Sequence, residues 1–315
     1  MSKYVFGVDL GGTSVKMGLF DQEGNLLDKW EIPTVTENEG QHILPDIAAS
    51  LQNKIEERDI ALADVIGAGI GVPGPVDEEG RINQAANLNW HTCFSIPEGI
   101  QQHLNIPVVA GNDANVAALG EMWQGGGKGY SNLFMVTLGT GVGGGIIVGG
   151  RIITGATGAA GEIGHICVED RETKQCGCRN VGCLEQYASA TGIVSLARKR
   201  LDQDQTASVL RQGELSAKSV FDAVKAGDPV AEEIAQEFGR YLGKGLAAIS
   251  CVVNPQAFVI GGGVSKAGEI LFRYIKPNYE KHVFHACRDV VFALATLGND
   301  AGIYGAAKMV LDKVK

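Results

Sequence analysis

The 315-residue chain has no basic run and no excess of positive charge: 27 Lys and Arg stand against 36 Asp and Glu, a net charge of −9. A protein that binds a polyanion needs clustered cations, so nucleic acid and anionic membrane are excluded as principal partners. No secretory leader is expected, since M-S-K-Y-V-F-G-V-D-L has no apolar core before Asp9. Long hydrophobic runs are absent except for Ser131–Gly150, twenty residues without a charge. Seven of these are Gly, and the rest read as two short strands rather than a membrane span. No low-complexity linker interrupts the chain, and no G-x-x-x-x-G-K-[ST] occurs, because Gly127-Lys128-Gly129 lacks the hydroxyl residue. Cysteine is sparse and odd in number, at seven. Without a leader, a reduced, cytosolic protein is expected, with clustered cysteines holding metal rather than forming disulfides.

What is abundant is glycine: 44 residues, gathered at 7–18, 67–74, 139–150, 155–164 and 261–263. They do not recur every third position, so they mark turns and close backbone approaches rather than collagen. The length and the 45% hydrophobic content allow two domains with cores. Strands are expected at Tyr4–Leu10, Val15–Phe20, Leu26–Ile32, Val65–Val72, Pro107–Ala110, Leu133–Leu138, Ile146–Gly149, Ala257–Ile260 and Val290–Leu294. Helices are expected over Glu37–Arg58, Ile96–Leu104, Asp113–Trp123 with Asp113 as N-cap, Ala190–Leu201, Ala217–Ala226 and Pro229–Val253. Two more are expected, one following Gly261-Gly262-Gly263 and running to about Lys281, and one over Ala301–Val314. Strand, L-G-G-T, strand near the start returns as strand, L-G-T-G, strand about 128 residues later. A repeat on that scale predicts two related halves whose glycine turns face one cleft.

The chemistry concentrates in Gly161–Glu185. His165, Cys176, Cys178 and Cys183 form a set of one imidazole and three thiolates suited to a tetrahedral, structural Zn²⁺. Cys93, Cys167, Cys251 and Cys287 stand in apolar surroundings and are expected in the core. Asp9-Leu10-Gly11-Gly12-Thr13 is a strand running into a turn whose backbone N–H groups suit an anion, with Asp9 placed for Mg²⁺. Gly139-Thr140-Gly141-Val142-Gly143-Gly144 matches G-x-G-x-x-G. It is followed by strand rather than helix, which excludes a dinucleotide fold and leaves a second phosphate turn. Gly261-Gly262-Gly263 could take an adenosine or a phosphate. Asp113, beside Asn112, reads as a carboxylate that takes a proton from a sugar hydroxyl. Asn87, Asn112, Asp113, Glu162, His165 and Glu185 form a set able to hold the paired hydroxyls of a polyol.

D-L-G-G-T-S-V-K at 9–16, G-N-D-A-N at 111–115, L-G-T-G-V-G-G-G at 138–145, G-E-I-G-H at 161–165 and C-G-C-R-N-V-G-C-L-E at 176–185 together resemble the ROK family of repressors and sugar kinases, over about residues 3–312. The resemblance is strongest to the family's bacterial glucokinases. One departure is Arg179, where the family often has Gly after the second cysteine. The resemblance implies an α/β protein of the actin-like ATPase, ribonuclease H-like fold, with a cleft between two α/β domains. These are residues 1–111 with a final helix at about 300–315, and residues 112–299 with the zinc loop. It implies ATP and Mg²⁺ as cofactors beside structural Zn²⁺, with Asp113 as general base. Asn87, Asn112, Glu162, His165 and Glu185 would hold the hexose. Asp9, Gly11, Gly12, Thr13, Lys16, Thr140 and Gly141 would serve the phosphates, and Gly261, Gly262 and Gly263 the adenosine. A cytoplasmic glucose kinase assembled as a homodimer or homotetramer is the expectation. Fructose, mannose, N-acetylmannosamine and N-acetylglucosamine remain open as substrates. A sugar-responsive repressor is the remote alternative, for which the strand beginning at Tyr4 leaves no room for a DNA-binding extension.

Overall fold

The computed structural model describes residues 3–314. In chain order the elements begin with β1 (Tyr4–Leu10), β2 (Ser14–Asp21), β3 (Leu26–Pro33), α1 (Ile43–Glu57), β4 (Val65–Val72), β5 (Arg81–Ile82), β6 (Phe94–Ser95), α2 (Ile96–Gln101), β7 (Val108–Asn112) and α3 (Asp113–Gln124). They continue with β8 (Leu133–Leu138), β9 (Val142–Val148), β10 (Arg151–Ile152), α4 (Glu185–Ala188), α5 (Ala190–Leu201), α6 (Ala217–Lys225), α7 (Pro229–Val253), β11 (Ala257–Gly261), α8 (Ile270–His282), β12 (Val291–Leu294) and α9 (Ala301–Lys313).

The strands form sheets of order β3-β2-β1-β4-β7 and β10-β9-β8-β11-β12, with β5 and β6 as a separate pair. Each large sheet starts from three strands consecutive in the chain and adds two parallel strands. This is the ribonuclease H-like arrangement, and its duplication is the actin-like ATPase fold. The chain divides into two compact units. The first is Met1–Ser131, Gly145–Ala160 and Leu297–Lys315; the second is Asn132–Gly144 and Gly161–Thr296. The first unit thus takes in α3 and the β9–β10 hairpin tip as well as the final helix, a wider set than residues 1–111 with that helix.

In the first unit, strand alternation assigns the two faces of the sheet. Phe6, Val8 and Leu10 join the core that includes Ile43, Ile47, Leu51 and Ile55 of α1. The other parity, Val5, Gly7 and Asp9, meets α9, whose Ile303, Ala307 and Val310 cluster with Val5 and Phe20. Glycine lets α9 come in backbone to backbone. A Cβ at Gly7 would lie 1.9 Å from the Ile303 carbonyl oxygen, and one at Gly305 would lie 1.7 Å from that of Val116 in α3.

In the second unit, α7 starts cleanly at Pro229, where the Asp228 side chain accepts from Val230 N and Ala231 N. It ends at Asn254 in the left-handed conformation. Among the described residues, no helix is long and apolar enough to cross a membrane.

Several expectations are corrected. The first helix begins at Ile43 rather than Glu37, because Asn38 and Glu39 take positive φ (50° and 59°) in a 3-10 turn. β9 begins at Val142, inside the glycine stretch expected to be turn. A 3-10 turn over Gly263–Ala267 follows β11, and Gly268 at φ 89° delays the next helix to Ile270. Cys93, Cys167 and Cys251 are exposed and Cys287 is half-buried, not core. Cys251 lies on the outer side of α7 beside Val252, which is 85% exposed. Apolar sequence neighbours do not bury a residue whose helical position points outward.

Replacing Gly305 with Ala should cost about 1–3 kcal/mol by forcing α9 from α3. Chemical denaturation checks this; an unchanged midpoint would show that the helices do not depend on this approach.

Candidate active site

In the first unit the strand register gathers the acidic groups. Asp9 on β1 pairs across to Lys16 on β2 and to Gly71 on β4, and Gly71 pairs to Gly111 on β7. Asn112 and Asp113 follow directly. Gly71, in the middle of this row, has no side chain to screen Asp9 from the start of α3. Burial raises the pKa of Asp9, the Lys16 ammonium opposes this, and the Asp113 carboxylate adds to the rise. Gly302 is what admits the Asp9 side chain, because a Cβ there would lie 2.5 Å from its Cγ.

The N-cap of α3 is Asn112, not Asp113. Asn112 Oδ1 accepts from Asn115 N at 3.1 Å, and its Nδ2 donates to Gly74 O (3.1 Å) and Asp113 Oδ1 (3.0 Å). Asp113 Oδ1 also accepts from Ala114 N at 2.8 Å. The carboxylate is therefore oriented by the cap rather than consumed as one. The Gly11–Thr13 turn is tied to the next strand connection: Thr34 Oγ1 donates to Gly11 O (2.7 Å) and Thr34 N to Thr13 O (3.0 Å). Asn87 packs on this turn, its carbonyl oxygen 3.4 Å from where a Gly12 Cβ would be.

In the second unit the 139–141 turn is fastened to the start of α4 and α5. Ala190 N donates to Gly139 O (2.8 Å), and Thr191 Oγ1 to Thr140 O (3.0 Å). Glu185 Oε2 accepts from Val142 N at 3.0 Å. A Cβ at Gly141 would lie 2.3 Å from that same oxygen, so only glycine leaves room for the carboxylate. Gly262 takes φ 82° at the end of β11, packed against the Leu138 carbonyl at the end of β8. This puts the Gly261–Gly263 turn at the strand end that also carries Gly139 and Thr140.

Glu162 and His165 stand at the two ends of one 3-10 turn, with His165 N donating to Glu162 O at 3.2 Å. Residues three apart in such a turn eclipse, so the two share a face. The ligand atoms of His165, Cys176, Cys178 and Cys183 all lie within 4.8 Å of one another. Cys178 Sγ and Cys183 Sγ are 3.6 Å apart, and Cys176 Sγ is 3.9 Å from His165 Nδ1. Tetrahedral zinc with Zn–S bonds of about 2.3 Å sets sulfurs about 3.8 Å apart, so the cluster is compatible with structural zinc. Cys176 Sγ also lies 3.7 Å from Glu185 Oε1. Burial, then the neighbouring sulfurs, pushes the Cys183 thiol up to about 12, whereas the Asn180 backbone amide draws Cys178 down.

The predicted residues therefore fall into two sets. Asp9, Gly11, Gly12, Thr13, Lys16, Asn87, Asn112 and Asp113 belong to the first unit. Thr140, Gly141, Glu162, His165, Glu185, the three ligand cysteines and Gly261–Gly263 belong to the second. Sequence reasoning missed Gly302, Ser189 and Thr191. Ser189 Oγ donates to Glu185 O (2.7 Å) and caps α5 by accepting from Gly192 N (2.9 Å). The S-A-T-G run after Glu185 was its visible signal.

The ROK family profile matches residues 5–313. The chain belongs to the ROK family. Among ROK relatives, the glucokinase of Halalkalibacterium halodurans is 41% identical over 98% of this chain and 95% of its own length. The glucokinase of Streptomyces coelicolor is 36% identical, covering 96% of each chain. Among solved structures, a ROK glucokinase from Streptomyces griseus in complex with glucose and AMPPNP is 35% identical. Its TM-score is 0.72, over 97% of this chain and 98% of that one.

Arg179, the departure noted in the sequence, is one of the non-glycine residues with positive φ. It takes φ 73°, the left-handed region that a glycine adopts freely. Arg179→Gly should therefore stabilise the metal loop by about 1 kcal/mol. Thermal melting with and without added zinc checks this, and a lower melting temperature in both would show that the arginine side chain itself supports the loop.

Proposed function

We propose that this chain is an ATP-dependent hexokinase-type phosphotransferase that converts glucose to glucose 6-phosphate. The observation that carries the proposal is Asp113: the cap on α3 comes from Asn112, and the Asp113 carboxylate is held for chemistry in a chain 41% identical to a glucokinase. Asp113 takes the proton of the sugar 6-hydroxyl as that oxygen attacks the γ-phosphorus. The new O–P bond forms as the bond to the β-phosphate oxygen breaks, and ADP departs with that electron pair.

Asn87, Asn112, Glu162 and Glu185 hold the remaining hydroxyls. His165 acts in the same way through Nε2, because Nδ1 is the nitrogen beside the Cys176 sulfur. Gly11, Gly12 and Thr13, with Lys16, are assigned to the phosphates, as are Thr140 and Gly141. Gly261–Gly263 is assigned to the adenosine. Asp9 offers one hard oxygen donor on a half-buried carboxylate, which suits a Mg²⁺ that keeps most of its waters. When bound, that cation supplies positive charge for the phosphates. Zinc on His165, Cys176, Cys178 and Cys183 supplies a rigid crosslink and no activated water, since all four positions are protein ligands.

Asp113→Asn should lower kcat by about 10²–10⁴-fold with the melting temperature unchanged. A melting temperature lowered as by a lost helix cap would return Asp113 to a structural role. ADP release measured with glucose, fructose, mannose, N-acetylmannosamine and N-acetylglucosamine decides the substrate, and no glucose-dependent ADP would sink the glucokinase reading.

Stripping zinc with a chelator should raise the KM for sugar and lower the melting temperature together, and more readily at pH 6 than at pH 8. The sign follows from Cys183: its thiol, raised to about 12, must lose a proton to bind metal, so acid favours release. Activity and melting temperature both unchanged after complete zinc removal would separate the loop from the sugar site.

A further inference from the structure

The cysteine cluster of the second unit has a fourth thiol beside it that has no part in the chemistry above. Cys167 follows His165 by two residues, yet its sulfur is not among the ligand atoms that converge. It is exposed, whereas Cys183 is buried. The two residues face each other across a short antiparallel bridge. Val168 N donates to Gly182 O and Leu184 N to Ile166 O, both at 2.8 Å. The hydrogen bonds therefore flank the pair rather than join it. In such a pair both side chains leave the same side of the ladder, with Cα atoms about 4.5 Å apart. A disulfide spans Cα separations of about 4.4–6.8 Å, so this backbone can be bridged as it stands.

The Cys167 sulfur already lies against this segment. A Cβ at Gly182, next to Cys183, would be 3.2 Å from it. Its S–H donates to Asp170 Oδ1 at 3.5 Å, so turning it toward Cys183 costs one weak hydrogen bond and a rotamer change. Cys176 and Cys178 are placed differently, on a hairpin tip closed by the Gln175–Val181 bridge and by Cys176 N donating to Asn180 O at 2.7 Å. Cys183 is thus the ligand cysteine with Cys167 as its cross-strand neighbour. Exposed and outside the ligand set, Cys167 is the thiol of this pair that an oxidant reaches first.

We propose that Cys167 is an oxidation site for a hydroperoxide, and that Cys183 resolves it as a Cys167–Cys183 disulfide with loss of the metal. The Cys167 sulfur attacks a peroxide oxygen. The S–O bond forms, the O–O bond breaks, and the thiol proton leaves on the departing oxygen as alcohol. Cys167 is oxidised by two electrons to a sulfenic acid, and the hydroperoxide is reduced. The Cys183 sulfur then attacks the Cys167 sulfur. Its bond to the metal breaks, that electron pair makes the S–S bond, and hydroxide leaves and is protonated to water. His165, Cys176 and Cys178 remain, one ligand short of the four that a structural zinc site uses.

The test treats the zinc-loaded chain with a stoichiometric amount of tert-butyl hydroperoxide, without sugar or nucleotide, so its result is independent of the phosphotransferase reading. A chromogenic chelator follows zinc release, and mass spectrometry after non-reducing digestion maps the thiols. A Cys167–Cys183 link, lighter by the two thiol hydrogens, should form as zinc is released, and a dithiol should return both thiols. Cys167→Ser keeps all four ligands and should hold its zinc under the same treatment. Should that variant not fold by circular dichroism, Cys167→Ala removes the same sulfur. Zinc lost as fast from the variant as from the unaltered chain, a link mapped to Cys178 and Cys183 instead, or a Cys167 thiol left free would overturn the proposal.

Discussion

The hydrogen bond from Asn115 N to Asn112 Oδ1 sets the terms for the rest of the site. A helix that starts at the end of a parallel strand exposes unpaired N–H groups, and some side chain has to meet them. Were Asp113 to do so, its carboxylate would turn back on its own helix. With Asn112 in that role, its amide nitrogen reaches Asp113 and the Gly74 carbonyl at once. One side chain thereby ties the end of β7, the loop after β4 and the first turn of α3 together. Asp9 enters the same group because Gly71 leaves the lane between β1 and β7 open.

The second unit solves a similar problem with the clustered side chains of His165, Cys176, Cys178 and Cys183 in place of a sheet. A loop of this length without regular structure carries little packing of its own. Its order comes from the convergence of these four side chains and from contacts outside them. Tyr187 donates to Glu172 at 2.7 Å and stacks on Tyr241 at 3.9 Å between ring centroids, and Lys244 donates to Val168 O at 2.9 Å. Glu185 sits where these constraints meet, held by Val142 N beside Gly141, whose missing side chain leaves its carboxylate room. The burial that raises Asp9 and Cys183 likewise suits both groups to bind a cation, since a positive charge nearby restores the ionised form.

Much of this was legible in the sequence, for local reasons. Strand parity is a period-two pattern, so the apolar set Phe6, Val8, Leu10 and the Gly7, Asp9 set could be read directly. The Cys-x-Cys spacing and the paired glycines are equally local. What could not be read depends on partners distant in the chain. Gly302 matters because of Asp9, nearly the whole length of the chain away. The left-handed Asn38 and Glu39 delay α1 although the apolar periodicity alone permits an earlier start. Cys251 is exposed because of where α7 turns, which an apolar neighbourhood conceals. The choice of Asn112 over Asp113 as cap lay between two good capping residues, and only the strand end fixed it.

The packing of α9 has a consequence for the order in which the protein is made. The helix is synthesised long after β1, yet its backbone lies against that strand and its Gly302 is what admits the side chain of Asp9. A nascent chain can complete the strands and helices between Asn132 and Thr296 while its first sheet still lacks the cover on one face. On the ribosome, then, the first unit is finished only when α9 has cleared the exit tunnel. Until that moment the strand that bears Asp9 keeps one side bare, and a chain that stalls before residue 301 presents that side to whatever chaperone or protease is near.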